Sequence, residues 1–202
     1  MPRDSVIHVP PTKLDRVVAD ACYRLATPEI EPPFRVLTWL ADEKLMLVCV
    51  GAAWLVLRSV SRNRVLRRQT DQMLCSIAIA AAVPHALKLA FVRERPDRTR
   101  VRSRRKGIPK SGKAWDSFPS GHAVHVGALA AAVSRMSPGN LVVIWSSAVA
   151  LASTRVMLLA HYLTDVIAGF MLGIGIDKVV DGTFRITGLN ADREDSLRGP
   201  SS

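Results

Sequence analysis

The chain has 202 residues, with 28 Lys and Arg against 17 Asp and Glu, a formal net charge of +11, and 49% hydrophobic residues of which few are aromatic. That length suits one domain and hardly two. Charge and apolar residues are segregated into blocks, which argues against an ordinary soluble globule and makes an anionic membrane surface a better partner than nucleic acid.

In chain order, residues 1–12 read as a loose polar arm without the apolar core of a cleavable leader. Leu14, Val17, Val18, Cys22 and Leu25 then recur at helical spacing, with Asp15, Arg16, Asp20 and Arg24 on other faces. That is an amphipathic helix, either docked on a bundle or lying in the membrane interface. Pro28, Pro32 and Pro33 break it, and Phe34–Leu40 reads as a second short interfacial helix with Trp39 at headgroup level. Five apolar runs follow: Leu45–Val60, Met73–Val92, Ala123–Met136, Leu141–Ala160 and Leu163–Val180. The first is short against the roughly 20 residues that a span needs, so flanking residues must extend it. Between the first two lies a tight basic turn, Arg58–Arg68, and between the second and third a long loop, Arg93–Lys113, carrying ten Lys or Arg. Gly169-x3-Gly173 in the last run permits close helix packing. From Asp181 the chain reads as a polar, mobile tail. The expected fold is all-α: a polytopic membrane helix bundle of about five transmembrane helices plus an N-terminal interfacial helix. Residues 1–44 form the arm and interfacial helices, 45–181 the transmembrane domain and 182–202 the tail. Cys22, Cys49 and Cys75 have no paired or metal-like spacing, which leaves them as structural thiols.

The chemistry gathers in three blocks. Lys88-x6-Arg95-Pro96 closes the second run. Pro119-Ser120-Gly121-His122 opens the third, with Ser120 as the expected N-cap and His122 in a first turn that favours an anion. Thr154-Arg155-x5-His161-x3-Asp165 joins the fourth to the fifth. Because successive spans alternate sides, all three blocks fall on one membrane face. Singly, Lys88 and Arg155 would snorkel, and His161 with Asp165 would be a structural pair. Together they suit phosphoryl transfer without a metal. Lys88, Arg95 and Arg155 neutralise nonbridging oxygens, and Ser120 and the Gly121 amide complete the cradle. His161 is the expected nucleophile. Asp165, one helical turn away, is expected to hold its other ring nitrogen. His122 is expected to protonate the leaving oxygen and then activate water. His85 and His125 lack such support and read as packing or secondary groups.

These blocks, in this order and spacing over roughly residues 72–180, resemble the type 2 phosphatidic acid phosphatase (PAP2) superfamily, in its membrane lipid phosphatase branch. The third block starts Thr154–Arg155 where that family usually has Ser–Arg. The resemblance implies the same roles for His161, His122 and Asp165. It implies a lipid phosphate monoester or pyrophosphate as substrate: phosphatidylglycerophosphate, phosphatidate, isoprenyl pyrophosphate or phosphorylated lipid A. No cofactor and no metal are expected. Transfer of the phosphoryl group to another lipid, or lipid binding without turnover, are the alternatives. The bacterial inner membrane is the expected location. By span counting, the site face carries 18 of the 28 Lys and Arg, which the positive-inside rule would keep in the cytoplasm. The resemblance implies the periplasmic side, where bacterial members of that family usually work, and the compact Arg58–Arg68 turn lies where the rule acts most strongly, so the periplasmic face is expected. Neutralising Arg100, Arg102, Arg104 and Arg105 is expected to weaken recognition of anionic bilayers.

Overall fold

In the computed structural model of the protein, residues 7–25, 31–40, 42–99 and 112–198 are described. The architecture is helical. Strand β1 (Ile7–His8) precedes α1 (Lys13–Leu25), α2 (Glu31–Leu40), α3 (Glu43–Val60) and α4 (Arg64–Ala90). Strand β2 (Phe91–Val92) and the short α5 (Pro96–Thr99) lead to the second half, α6 (Gly121–Met136), α7 (Leu141–Met157) and α8 (Leu163–Arg198).

Local chemistry explains most boundaries. α1 starts with a reciprocal cap, in which Thr12 Oγ1 accepts from the Asp15 amide and Asp15 Oδ2 accepts from the Thr12 amide. Asp42 caps α3 by accepting from Lys44 and Leu45, and Asn63 caps α4 by accepting from Val65 and Leu66. The basic turn is therefore shorter than expected. It is closed by Arg67, which donates to Ser61 O and Arg58 O at the end of α3. The polar arm is also more ordered than expected: β1 pairs in parallel with β2, Ile7 opposite Phe91 and His8 opposite Val92. The last run does not stop at Val180 but continues as helix to Arg198. An Arg185–Asp181 pair at 2.9 Å, one turn apart, supports the first turns of that extension.

α6 is the central helix, packed against α3, α4, α7 and α8. Its small residues Val124, Ala128 and Ala132 meet Ile77 and Ala80 of α4, Val50 of α3 and Ile176 of α8. The closest approach is to α8, where a Cβ on Gly169 would lie 2.5 Å from Ser120 O and one on Gly173 would lie 2.7 Å from Ala128 N. Only glycine lets the start of α6 seat against α8 in this way. α1 docks through Ala19 and Cys22 against Ala152 and Val156 of α7, leaving Leu14, Val17 and Leu25 exposed. At the end of α6 remote from His122, buried Asp177 of α8 accepts from Ser76 of α4 at 2.9 Å and pairs with Arg135 of α6. Two segments among the described residues, α4 and Pro138–Met157, are long and apolar enough to cross a membrane by length and composition.

Candidate active site

Five segments build one cavity, the start of α3 and four others. The late turns of α4 bring Pro84, His85 and Lys88. The strand-like stretch after β2 brings Arg95. It is held in place by hydrogen bonds from Arg93 N to Trp115 O, from Arg95 N to Ala114 O and from Ser117 N to Arg93 O. The start of α6 brings Gly121 and His122, and the end of α7 with its following turn brings Arg155 and His161. Leu159 adopts a left-handed φ of 52°, a costly conformation for a branched side chain. That kink turns the chain back so that the Ala160 and His161 amides both donate to Arg155 O, which aims His161 into the cavity.

The cavity has a volume of about 150 Å³ and gathers Lys88, Arg95, Gly121, His122, Arg155 and His161. Ser120 lies fully buried beside it, and Asp165 stands behind His161. Ser120 occupies the N-cap position but makes no side-chain cap bond, and its buried Oγ has no hydrogen-bond partner. A buried hydroxyl without a partner is unusual and leaves a donor at the mouth of the α6 amides.

His161 is 3% exposed, and its two nitrogens are differentiated. Nδ1 lies 2.6 Å from Ser117 O, and a carbonyl only accepts, so Nδ1 carries the proton. Nε2 therefore presents its lone pair, 3.1 Å from Arg95 Nη1. Burial, and then the charges of Arg95, Arg155 and Lys88, push the imidazole well below its ordinary value of 6.5; the Ser117 carbonyl opposes them weakly. His161 is a neutral base at neutral pH.

The partner of Nδ1 differs from expectation. Asp165 Oδ2 is 3.8 Å from it, beyond hydrogen-bond range. That carboxylate instead accepts from Ser117 Oγ at 2.5 Å and from the Tyr162 amide at 2.9 Å, and it pairs with Arg93. The oxygen reaching the imidazole is a backbone carbonyl because Ser117 lies between the two side chains.

Sequence reasoning missed further residues. Asp116 pairs with Arg95 at 2.9 Å and sits 3.8 Å from Lys88, a counterion for both. Asp42 and Glu43, at the start of α3, line the cavity from a segment with no motif of its own. His85 also lines it; its spacing of three from Lys88 on one helix was the available signal. Arg93 and Asp15 form a buried pair behind the site at 2.5 Å. Burial would raise Asp15, but the Thr164 and Thr12 amides, the Thr164 hydroxyl and Arg93 outweigh it and hold the carboxyl at about 2. His125 is buried, with Nδ1 2.7 Å from Gly121 O. Arg100, Arg102, Arg104 and Arg105 lie outside the described residues.

Residues 71–181 match the PAP2 superfamily. The chain belongs to that superfamily. Among curated PAP2 relatives, it is 31% identical to a lipid A 1-phosphatase of Rhizobium johnstonii over 156 residues, covering 75% of this chain and 64% of that protein. It is 33% identical to a lipid A 1-phosphatase of Rhizobium etli over 140 residues, covering 67% of this chain and 60% of that one. The chain thus spans a little under two thirds of both. It is also 28% identical over 135 residues to a decaprenylphosphoryl-5-phosphoribose phosphatase of Mycobacterium tuberculosis, covering 66% of this chain and 71% of that protein. Among solved structures, LpxE of Aquifex aeolicus superposes with a TM-score of 0.68 at 16% identity, covering 86% of this chain and 98% of that one. A transmembrane PAP2-type phosphatidylglycerolphosphate phosphatase of Bacillus subtilis superposes at 0.60 with 21% identity, covering 84% and 83%. The helical arrangement around α6 is therefore the PAP2 membrane-enzyme fold.

Proposed function

We propose that this chain is an integral membrane phosphatase that hydrolyses a phosphate monoester on a lipid headgroup through a phosphohistidine at His161. The observation that carries this reading is the imidazole itself: buried, neutral, with Nδ1–H committed to Ser117 O and the Nε2 lone pair beside Arg95 in a cationic cavity. Nε2 attacks phosphorus, a P–N bond forms, and the bond to the headgroup oxygen breaks as His122 supplies that oxygen with a proton. Positive charge develops on the imidazole, so the bond from Nδ1 to Ser117 O strengthens. Lys88, Arg95 and Arg155 take up charge on the equatorial oxygens, with the Gly121 amide and Ser120 hydroxyl completing the cradle. His122 then accepts a proton from water as the water oxygen attacks. The P–N bond breaks, inorganic phosphate leaves, and His161 is neutral again. The three cations supply charge stabilisation of the kind that two-metal phosphatases draw from their ions.

The carboxylates of Asp42 and Glu43 on the cavity wall disfavour a second phosphate and suit hydroxyl or ammonium donors. The relatives point the same way: a lipid A 1-phosphatase and a decaprenylphosphoryl-5-phosphoribose phosphatase. A phosphate monoester on a hydroxylated headgroup therefore stands ahead of phosphatidate and isoprenyl pyrophosphate. Helices α3, α4, α6, α7 and α8 would span the bilayer, with exposed Leu55, Val142, Val149, Ile167 and Met171 toward lipid. The cavity would face the periplasm. The test is phosphate release from purified lipids in nanodiscs with EDTA present. Release from a hydroxylated headgroup, inhibited by vanadate, is expected. No release from any lipid of the panel, or activity wholly dependent on added divalent metal, overturns the reading.

A further inference from the structure

Arg93 does not line the cavity, yet it is 2% exposed and sits at the centre of a buried polar path. Its Nη2 meets Asp15 Oδ2 at 2.5 Å. Its Nη1 donates to Asp165 Oδ1 and, at 2.8 Å, to Thr164 Oγ1. Thr164 closes the loop to α1, its amide and hydroxyl donating to Asp15 at 2.9 and 2.8 Å. Beyond Asp165, Ser117 Oγ donates to Oδ2 at 2.5 Å, and Ser117 O holds His161 Nδ1 at 2.6 Å. The path from α1 to the imidazole is unbroken, and Asp15, Arg93, Asp165, Ser117 and His161 along it are all buried.

A buried ion pair is weak evidence for stability, because apolar residues of the same volume often stabilise as well. This one has a geometry that packing does not require. A planar fork bridges two carboxylates that would otherwise repel each other, and the Tyr162 ring lies 4.6 Å from the guanidinium carbon. Without a carbonyl fixed at Nδ1, a neutral imidazole can move its proton to Nε2 and lose the lone pair that the reaction needs.

We propose that Asp15 and Arg93 are positioning residues for the nucleophile: Asp15 fixes the Arg93 fork, the fork fixes Asp165, Asp165 orients Ser117, and the Ser117 carbonyl selects the His161 tautomer with its lone pair on Nε2. The kinetic consequence rests on the phosphatase reading above; the tautomeric consequence does not. A corollary is that α1 belongs to the site. Ala19 and Cys22, through which α1 docks on α7, share the helix that carries Asp15, so helix docking and tautomer selection are mechanically linked.

The experiment compares wild type, Asp15→Asn, Arg93→Lys and the exposed control Arg16→Gln, each as full-length protein in nanodiscs. Nitrogen-15 histidine spectra report the tautomer, with His161 assigned by loss of its signals in His161→Gln. Binding of inorganic phosphate reports the integrity of the cavity. Wild type and Arg16→Gln are expected to show a protonated Nδ1 and an unprotonated Nε2. Asp15→Asn and Arg93→Lys are expected to show mixed tautomers, phosphate binding within about 3-fold of wild type, and kcat lower by about 10- to 100-fold with KM nearly unchanged. Both variants keeping the wild-type tautomer and kcat overturns the proposal. So does loss of phosphate binding in parallel with activity, which marks a structural role alone. If wild type releases no phosphate but the tautomer responds as stated, the phosphatase reading fails and the positioning path stands.

Discussion

Substituting alanine at two glycines of α8, two residues apart, separates close packing from helix propensity. A Cβ on Gly173 would fall inside the van der Waals envelope of Val124 O and 2.7 Å from Ala128 N, against an ordinary contact of at least 3.4 Å, so α8 must retreat from α6 by at least ~0.7 Å. Both obstacles are backbone atoms of the central helix, which cannot rotate away. Overpacking of this kind costs about 1–3 kcal/mol. The retreat also drags Asp165 and the Gly169 contact with Ser120 O, both at the site end of the same helix. A displacement near 1 Å costs about 100-fold in rate when it misaligns reacting groups. Gly175 has nothing within 4 Å of its virtual Cβ, so Gly175→Ala should gain about 0.5–1 kcal/mol from helix propensity. Thermal unfolding and phosphate release are measured for wild type and both variants in one detergent. Gly173→Ala is expected to melt lower and turn over slowly, and Gly175→Ala to melt at or above wild type with full activity. Equal behaviour of the two variants would refute the close α6–α8 contact.

Stability should depend on pH through His161. Its folded value lies well below 6.5, so that contribution is fully present above about pH 6.5 and is lost as pH falls, because the unfolded chain takes a proton that the folded one refuses. Wild type should lose up to about 1.4 kcal/mol per pH unit below that point relative to His161→Gln; parallel curves for the two proteins would contradict it. Orientation is read from a cysteine placed at Ser111 in a background lacking Cys22, Cys49 and Cys75. Labelling by an impermeant thiol reagent in intact cells is expected, and labelling only after lysis would place the site in the cytoplasm.

The apolar runs were legible because burial in a helix bundle writes itself as continuous hydrophobicity. Their edges were less so. α4 begins at Arg64 because Asn63 caps it, and a basic first turn looks in sequence like a loop. α8 continues past Val180 through a stretch to Arg198 whose sequence carries no sustained hydrophobic pattern. Lys88, Arg95, Gly121, His122, Arg155 and His161, which line the cavity, announced themselves by chemistry and spacing. Residues that act by shape or from elsewhere in the chain did not. Asp42 and Glu43 come from a cap, Asp116 reads as part of a polar approach to Pro119, and Arg93 hides among the six residues between Lys88 and Arg95. The expected pairing of His161 with Asp165 followed from their spacing of four. Helical spacing could not foresee that a backbone carbonyl from Ser117 would come between them.

The covalent intermediate is the central claim, and trapping it is the most direct measurement. His122→Ala removes the group that activates water in the second step and leaves His161 and its cations in place. Mixed with a phosphate-labelled lipid substrate and quenched in alkali, this variant should carry acid-labile phosphate on His161, located by peptide mass spectrometry. His161→Ala in the same background should carry none. Phosphate found on another residue, or rapid turnover by His161→Ala, would contradict the account.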